Sequence, residues 1–316
     1  MPIQPRLSLS RIQTVAHTLA ILAMMAGLFG LLGYLIMGPA GLFLSSVLCV
    51  ILFATTPRIA PGLILRMYGA RALDESEAPG LYAVVNELSG RAGLTRKPRI
   101  YYIPSRVMNA FSVGNRQASA IAITDGIVRY LNGREIAGVL GHEIGHIRNN
   151  DLYLYSLADM LSRVTSALSL IGQMLIAIYL PLWLLVHQRI PLSIIMILFF
   201  APSLATLMQL ALSRTREYAA DLAAVELTGD SLGLAAALMK MERYQSRFWE
   251  KVLLPARKVP DPSVLRTHPH TAERIERLRL LGEGQPYRGD HMGVMLPDHF
   301  PAVDRQPRWH WLKPWH

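Results

Sequence analysis

Two pairs of long apolar runs constrain this 316-residue chain before any motif is considered. Residues 12–37 carry no Asp, Glu, Lys or Arg, and after Gly38-Pro39 a second apolar run covers residues 40–56. Each is long enough as a helix to cross a bilayer, and the Gly-Pro step between them predicts a tight hairpin. Arg6 and Arg11 give the opening the look of a secretory signal. However, the apolar stretch is too long for one and a second follows at once, so an uncleaved anchor is expected. Residues 164–186 and 190–212 repeat the pattern, separated only by His187-Gln188-Arg189. Pro181 and Pro202 are tolerated in membrane helices, although together with Gln173 and Gln209 they also fit a buried soluble hairpin.

Composition and charge agree with spans. Apolar residues make up 52% of the chain and charged ones 17%, against about a quarter in ordinary soluble domains, and the formal net charge is +10. No nucleic-acid motif accompanies that basic excess, so no nucleic-acid partner is expected. Lys and Arg beside apolar spans are instead the mark of cytoplasmic loops. Arg6 and Arg11 precede the first hairpin, Arg58, Arg66 and Arg71 follow it, and its turn has no such residue. The N-terminus and the segment after residue 57 are therefore expected in the cytoplasm, and a spanning second hairpin would return the chain to that side. Cys49 is the only cysteine and lies in an apolar run, which excludes an intrachain disulfide framework and a cysteine zinc site.

The segment between the hairpins changes character. Pro79, then Leu81, Val84, Val85 and Leu88 at helical spacing with Gly93 as a stop, predicts a soluble amphipathic helix. Arg99–Ile103 and Ser119–Thr124 read as short strands of a small sheet, with residues 109–114 between them. Asn132 is a good N-cap with Glu135 in the capping-box position, and Ile136, Val139 and Leu140 carry an apolar stripe onward. That helix holds His142-Glu143-Ile144-Gly145-His146. Positions i and i+4 share a helical face, so both imidazoles can reach one metal ion with Glu143 beside it. A catalytic zinc needs a third protein ligand, an open position for water and a general base. Taken alone, the pattern also fits a surface helix with two solvated histidines. Gly138, Gly141 and Gly145 each weaken the helix by roughly 1 kcal/mol relative to Ala, so a close backbone approach is expected there.

Glu217 and Asp221 follow the second hairpin, one helical turn apart. The pair makes mechanical sense if Glu217 binds the metal while Asp221 accepts the free N–H of a ligand histidine. The same two residues beside Arg214 and Arg216 also read as a solvated acidic face. The ligand reading gains weight from an upstream His-Glu-x-x-His that a hairpin returns to the same side.

Taken together, the two hairpins, Asn109-Ala110-Phe111, the His142–His146 motif, Glu217-Tyr218-x-Ala220-Asp221 and Thr267-His268-Pro269 leading to Glu273-Arg274-Ile275 resemble the HtpX-type integral-membrane zinc metalloproteases. These are gluzincins related to the CAAX prenyl proteases, and the resemblance runs from the first hairpin to about Leu281. It implies one zinc ion per chain held by His142, His146 and Glu217, with Glu143 as general base. It further implies that Asn109, Ala110 and Phe111 lie on or near an edge strand pairing with extended substrate, and that His268 and Arg274 stabilise the oxyanion. A His-Pro turn capping a following helix is the plainer account of His268, and His270 leaves the choice of imidazole open.

The expected fold is α+β and mainly helical, with four transmembrane helices in two hairpins plus a zincin-like domain with a small sheet. The expected segments are a hairpin at 1–57, protease parts at 58–163 and 213–282 around a second hairpin at 164–212, and a tail at 283–316. The expected activity is zinc endopeptidase hydrolysis of misfolded or damaged membrane proteins, at the cytoplasmic face of a bacterial inner membrane. Membrane protease or chaperone partners are compatible with that role. Two other readings compete: processing of prenylated C-terminal peptides, whose branch has more spans than the four read here, and a membrane scaffold without proteolysis.

Overall fold

The computed structural model describes residues 3–55, 61–186, 192–252 and 271–282. In chain order the elements are α1 (Ile3–Thr55), α2 (Pro61–Met67), β1 (Arg71–Ala72), α3 (Pro79–Arg91), β2 (Arg99–Ile103), β3 (Ala110–Gly114), β4 (Ser119–Thr124) and α4 (Asp125–Tyr130). They continue as α5 (Gly133–Asn149), α6 (Asp151–Val186), α7 (Leu192–Thr228), α8 (Ser231–Val252) and α9 (Thr271–Gly282). Two compact units emerge: Met1–Pro57 with Tyr153–Glu217, and Arg58–Leu152 with Tyr218–His316.

The first unit holds apolar helices. Among the described residues three helices are long and apolar enough to cross a membrane, with candidate stretches at Ile12–Thr55, Asp151–Ile178 and Ser193–Thr228. The first of these is not straight. Gly38 has φ 62° and ψ −144°, a conformation that only glycine adopts cheaply, and Pro39 follows it. Beyond the break the chain folds back on itself: a Cβ at Gly33 would collide with Ser45 Oγ and the Gly41 carbonyl, and one at Gly30 would meet Leu42 Cδ1 at 3.3 Å. In an unbroken helix, positions 33 and 41 would stand about 12 Å apart. Ile21, Met25 and Leu52 share one cluster for the same reason. The expected first hairpin thus stands as a single assigned helix with two limbs.

α6 and α7 lie antiparallel, with Gly172 against Leu198 and Gln209 Nε2 3.5 Å from Asp159 Oδ1. Pro202 has no N–H, so the carbonyl four residues back, that of Leu198, loses its helical donor. Ser169 Oγ donates to that carbonyl, and Gln173 Nε2 donates to it at 3.1 Å and to Ser169 Oγ at 3.0 Å. The proline and the glutamine that left room for a soluble hairpin are thus parts of one device that keeps an apolar helix pair free of an unsatisfied carbonyl. The turn at 187–189 lies outside the described residues.

In the second unit the sheet order is β1-β2-β4-β3. β2 and β4 are parallel, while β1 on β2 and β3 on β4 are antiparallel. β2 and β4 have the bounds expected from their β-branched and aromatic residues. Central β4 is buried at five successive positions from Ala120, because both of its faces are covered. On one face Ile100, Ile121 and Ile123 pack with Val85 and Leu88 of α3 and Ile136, Leu140 and Ile144 of α5. On the other, Phe111, Val113 and Ala122 pack with Leu65, Ile64 and Tyr68 from α2 and its end. β3 is one of the two edge strands, β1 being the other, and it runs beside α5.

Candidate metal centre

α5 is shaped at its start by the expected capping box: Asn132 Oδ1 accepts from the Glu135 N–H, and Glu135 Oε2 from the Asn132 N–H, both at 2.9 Å. Gly138, Gly141 and Gly145 are where α7 and α8 approach. A Cβ on Gly145 would sit 2.9 Å from Ala223 Cβ, and one on Gly138 would lie 2.9 Å from Leu234 Cα. The missing side chains let Ala220, Ala223 and Ala224 draw close to the histidine-bearing face. The helix ends at Asn150, which adopts the left-handed conformation (φ 58°) usual for a C-cap. That turn starts α6 at Asp151 and points its carboxylate back toward His146.

The histidine pair is buried and tightly specified. His142 Nε2 and His146 Nε2 face each other at 3.1 Å. The other ring nitrogens are each held by a carboxylate: His146 Nδ1 lies 2.8 Å from Asp151 Oδ2, and His142 Nδ1 lies 2.9 Å from Asp221 Oδ1. A carboxylate on Nδ1 selects the Nδ1–H tautomer and leaves an Nε2 lone pair. Two such lone pairs pointing at each other in a buried site repel unless a cation lies between them. Glu217 completes the set: its carboxylate and the two imidazoles offer ligand atoms that all lie within 4.8 Å of one another. The boundary between the two units passes directly after Glu217 within α7, so one turn of unbroken helix ties Glu217 to Asp221. Two nitrogens bound at about 2.0–2.1 Å to one tetrahedral ion stand roughly 3.4 Å apart, close to the observed separation. Nitrogen, nitrogen and carboxylate form a donor set that fits zinc.

Asp221 has a second partner. Arg274, on α9 and almost wholly buried, donates from Nε at 2.7 Å and from Nη2 at 2.6 Å to its two oxygens. Asp221 lies nine residues beyond Leu212, where the apolar run of α7 ends. Burial pushes the Asp221 carboxyl up, but the Arg274 charge and the hydrogen bonds from Arg274 and His142 outweigh it and hold the group down at about 2. Asp221 is therefore an anion at every pH where the imidazoles are neutral, as a tautomer-fixing group must be. Glu143 is buried on α5 next to His142, and the Tyr155 hydroxyl lies 3.5 Å from Glu217 Oε1.

Of the residues singled out from sequence, the structure brings His142, His146, Glu217, Asp221 and Arg274 together. Asn109 leads into β3, its backbone pinned to Thr124 Oγ1 by hydrogen bonds of 2.9 and 2.8 Å. Ala110 and Phe111 bury their side chains on opposite faces of the sheet, Phe111 against the Tyr68 ring at 5.3 Å. His268 and His270 lie outside the described residues. Sequence reading missed Asp151 and Tyr155. An Asp five residues past the second motif histidine was the available signal for Asp151, but only the left-handed turn at Asn150 brings it to His146.

The profile of Peptidase family M48 matches residues 75–281. Among curated proteins, the chain is 33% identical to "Protease HtpX homolog" of Pyrococcus furiosus over 278 residues, covering 82% of this chain and 93% of that protein. The same name belongs to a relative in Sulfurihydrogenibium sp., 33% identical over 287 residues with 84% and 95% covered. A third, from Streptococcus agalactiae, is 30% identical over 284 residues with 84% and 96% covered.

Proposed function

The chain belongs to peptidase family M48 as a membrane-associated metalloprotease of the HtpX type, and from that premise we propose that it is a zinc endopeptidase acting on membrane proteins at a cytoplasm-facing site. One observation carries the reading: two imidazole nitrogens and one carboxylate converge in a buried cradle, with a further carboxylate, Glu143, on the same helix as the histidines. His142, His146 and Glu217 would hold the metal. Zinc bound there supplies Lewis acidity, polarising a peptide carbonyl and acidifying water. Glu143 takes the proton of the attacking water and delivers it to the leaving amine. Asp151 and Asp221 keep the two imidazoles in the ligating tautomer.

Arg274 is better placed as a positioning residue than as an oxyanion donor. Its Nε and Nη2 donate to Asp221, through which it steadies His142, and this bidentate grip is the contact the positioning reading rests on. His268 keeps the oxyanion role that the family resemblance implies. Substrate adds as an extended strand along β3, the edge of the sheet beside α5. Ala110 and Phe111 use their side chains in packing, so recognition there runs through backbone groups. That suits an enzyme that must accept many misfolded sequences.

Topology supports the cytoplasmic assignment. A helix of 53 residues would be about 80 Å long, far beyond a bilayer, whereas the fold-back at Gly38 makes α1 two crossings. With α6 and α7 that gives four spans, and the basic segments after Pro57 and after Leu212 then share the side of the N-terminus. Removal of damaged proteins from a bacterial inner membrane is the role the family resemblance implies, and the relatives' name, a protease of the HtpX type, goes with that branch in place of prenyl-peptide processing. The decisive test is cleavage of an unfolded substrate such as casein by purified, folded Glu143→Gln. Loss of about 10²- to 10⁴-fold is expected, and undiminished turnover would remove Glu143 from the mechanism.

A further inference from the structure

α2 is apolar on both sides. Leu65, Ile64 and Tyr68 pack on the β3 face of the sheet, against Phe111 and Val113. Leu63 and Met67 point the other way and are 60% and 64% exposed. A single exposed leucine is ordinary on any protein surface, but these two stand at i and i+4, one above the other on the same helical face. Arg66, between them in sequence, is exposed as well. Only residues 56–60 separate α2 from the end of α1, and six Cα steps reach at most roughly 22 Å. A short helix only five residues along the chain from the end of a span, with paired apolar side chains outward, Arg66 between them and Arg58 three residues before the helix in sequence, has the composition of an element seated among lipid headgroups.

We propose that α2 is a membrane-surface helix whose Leu63 and Met67 enter the headgroup boundary, and that by packing on β3 it holds the substrate-pairing edge next to the bilayer. The inference rests on reading the chain as bilayer-spanning and β3 as the strand that receives substrate. Lipid is the chosen occupant because the connection to α1 is too short to let α2 leave the membrane surface by much, and because the nearby charges are cationic. An unfolded segment emerging from the bilayer would then meet the sheet edge without first dissociating into water.

The full chain in nanodiscs of phosphatidylcholine and phosphatidylglycerol tests this, with Cys49→Ser as background and nitroxide labels on Leu63→Cys, Met67→Cys, Val50→Cys and Leu280→Cys. Val50 is 68% exposed on α1 and reports lipid, while Leu280 is 57% exposed on α9 and reports water. Labels at 63 and 67 are expected to collide several-fold more with oxygen, relative to a nickel chelate, than the label at 280. If they match 280 while 50 behaves as lipid-facing, the surface role fails and the membrane reading stands. If 50 also favours the chelate, the membrane reading fails first. Protection of 63 and 67 from both reagents means that protein covers them, which overturns the proposal. As a second readout, Leu63→Glu with Met67→Glu is expected to cleave casein at the wild-type rate and a bilayer-embedded substrate several-fold more slowly. Equal loss on both substrates would mean a folding defect in place of lipid contact, again overturning it.

Discussion

Asp221 and Asp151 each hold the Nδ1 of one imidazole, that of His142 and of His146, and in the proposed zinc site they would fix which nitrogen is free to bind the metal. Their replacement by Asn keeps size and allows the wrong tautomer. Asp151→Asn and Asp221→Asn are each expected to weaken zinc binding about 10- to 100-fold, read by competition with a chelating dye. Arg274→Ala poses a different problem, because it strands a buried carboxylate. The expected cost is about 3–5 kcal/mol of stability, seen in denaturant unfolding of the solubilised protein. Adding Asp221→Ala to Arg274→Ala should recover part of that loss, since the orphaned charge is then gone; full additivity of the two would show that the pair is not coupled.

At the scale of elements, close approach decides where bulk is forbidden. Gly145 faces Ala223 Cβ at 2.9 Å and the Ala220 carbonyl at 3.2 Å, so Gly145→Val must push α7 away from α5. Its β-branched side chain overpacks the contact by about 1–3 kcal/mol, and the expected signature is a lower Tm together with weaker zinc binding, because Glu217 rides on α7. Propensity alone would have a non-glycine residue help this helix, so a raised Tm would refute the packing argument. The Leu198 carbonyl gives a second test. Ser169→Ala with Gln173→Leu removes both donors that replace the one missing at Pro202, leaving a buried acceptor that costs about 1–3 kcal/mol. Restoring a backbone donor with Pro202→Ala in that background should return the stability, measured by unfolding in detergent.

For the whole molecule, metal and fold should be linked. A ligand that binds only the native state stabilises it by RT ln(1 + [L]/Kd), or about 2.7 kcal/mol at a hundredfold excess over Kd. Chelation is thus expected to lower Tm as well as abolish peptide hydrolysis, and zinc should restore both. A chelated protein with unchanged Tm would mean that the cradle is held by its Asp–His and Asp–Arg pairs without the ion.

Much of this was legible in the chain itself. The capping box at Asn132 and Glu135, the i, i+4 histidines, the Glu217–Asp221 turn and strands β2 and β4 depend on residues a few positions apart, and short-range periodicity reports such geometry directly. The hairpin break at Gly38-Pro39 was readable for the same reason, since a local backbone conformation stops the helix. What the residues left open was most of the contacts made across long stretches of chain. That Arg274 would grip Asp221 and that Gln173 would serve a carbonyl freed by Pro202 follow from how helices stack. A donor and its acceptor 53 positions apart, as Arg274 and Asp221 are, leave no period in the sequence; only packing puts them 2.6 Å from one another.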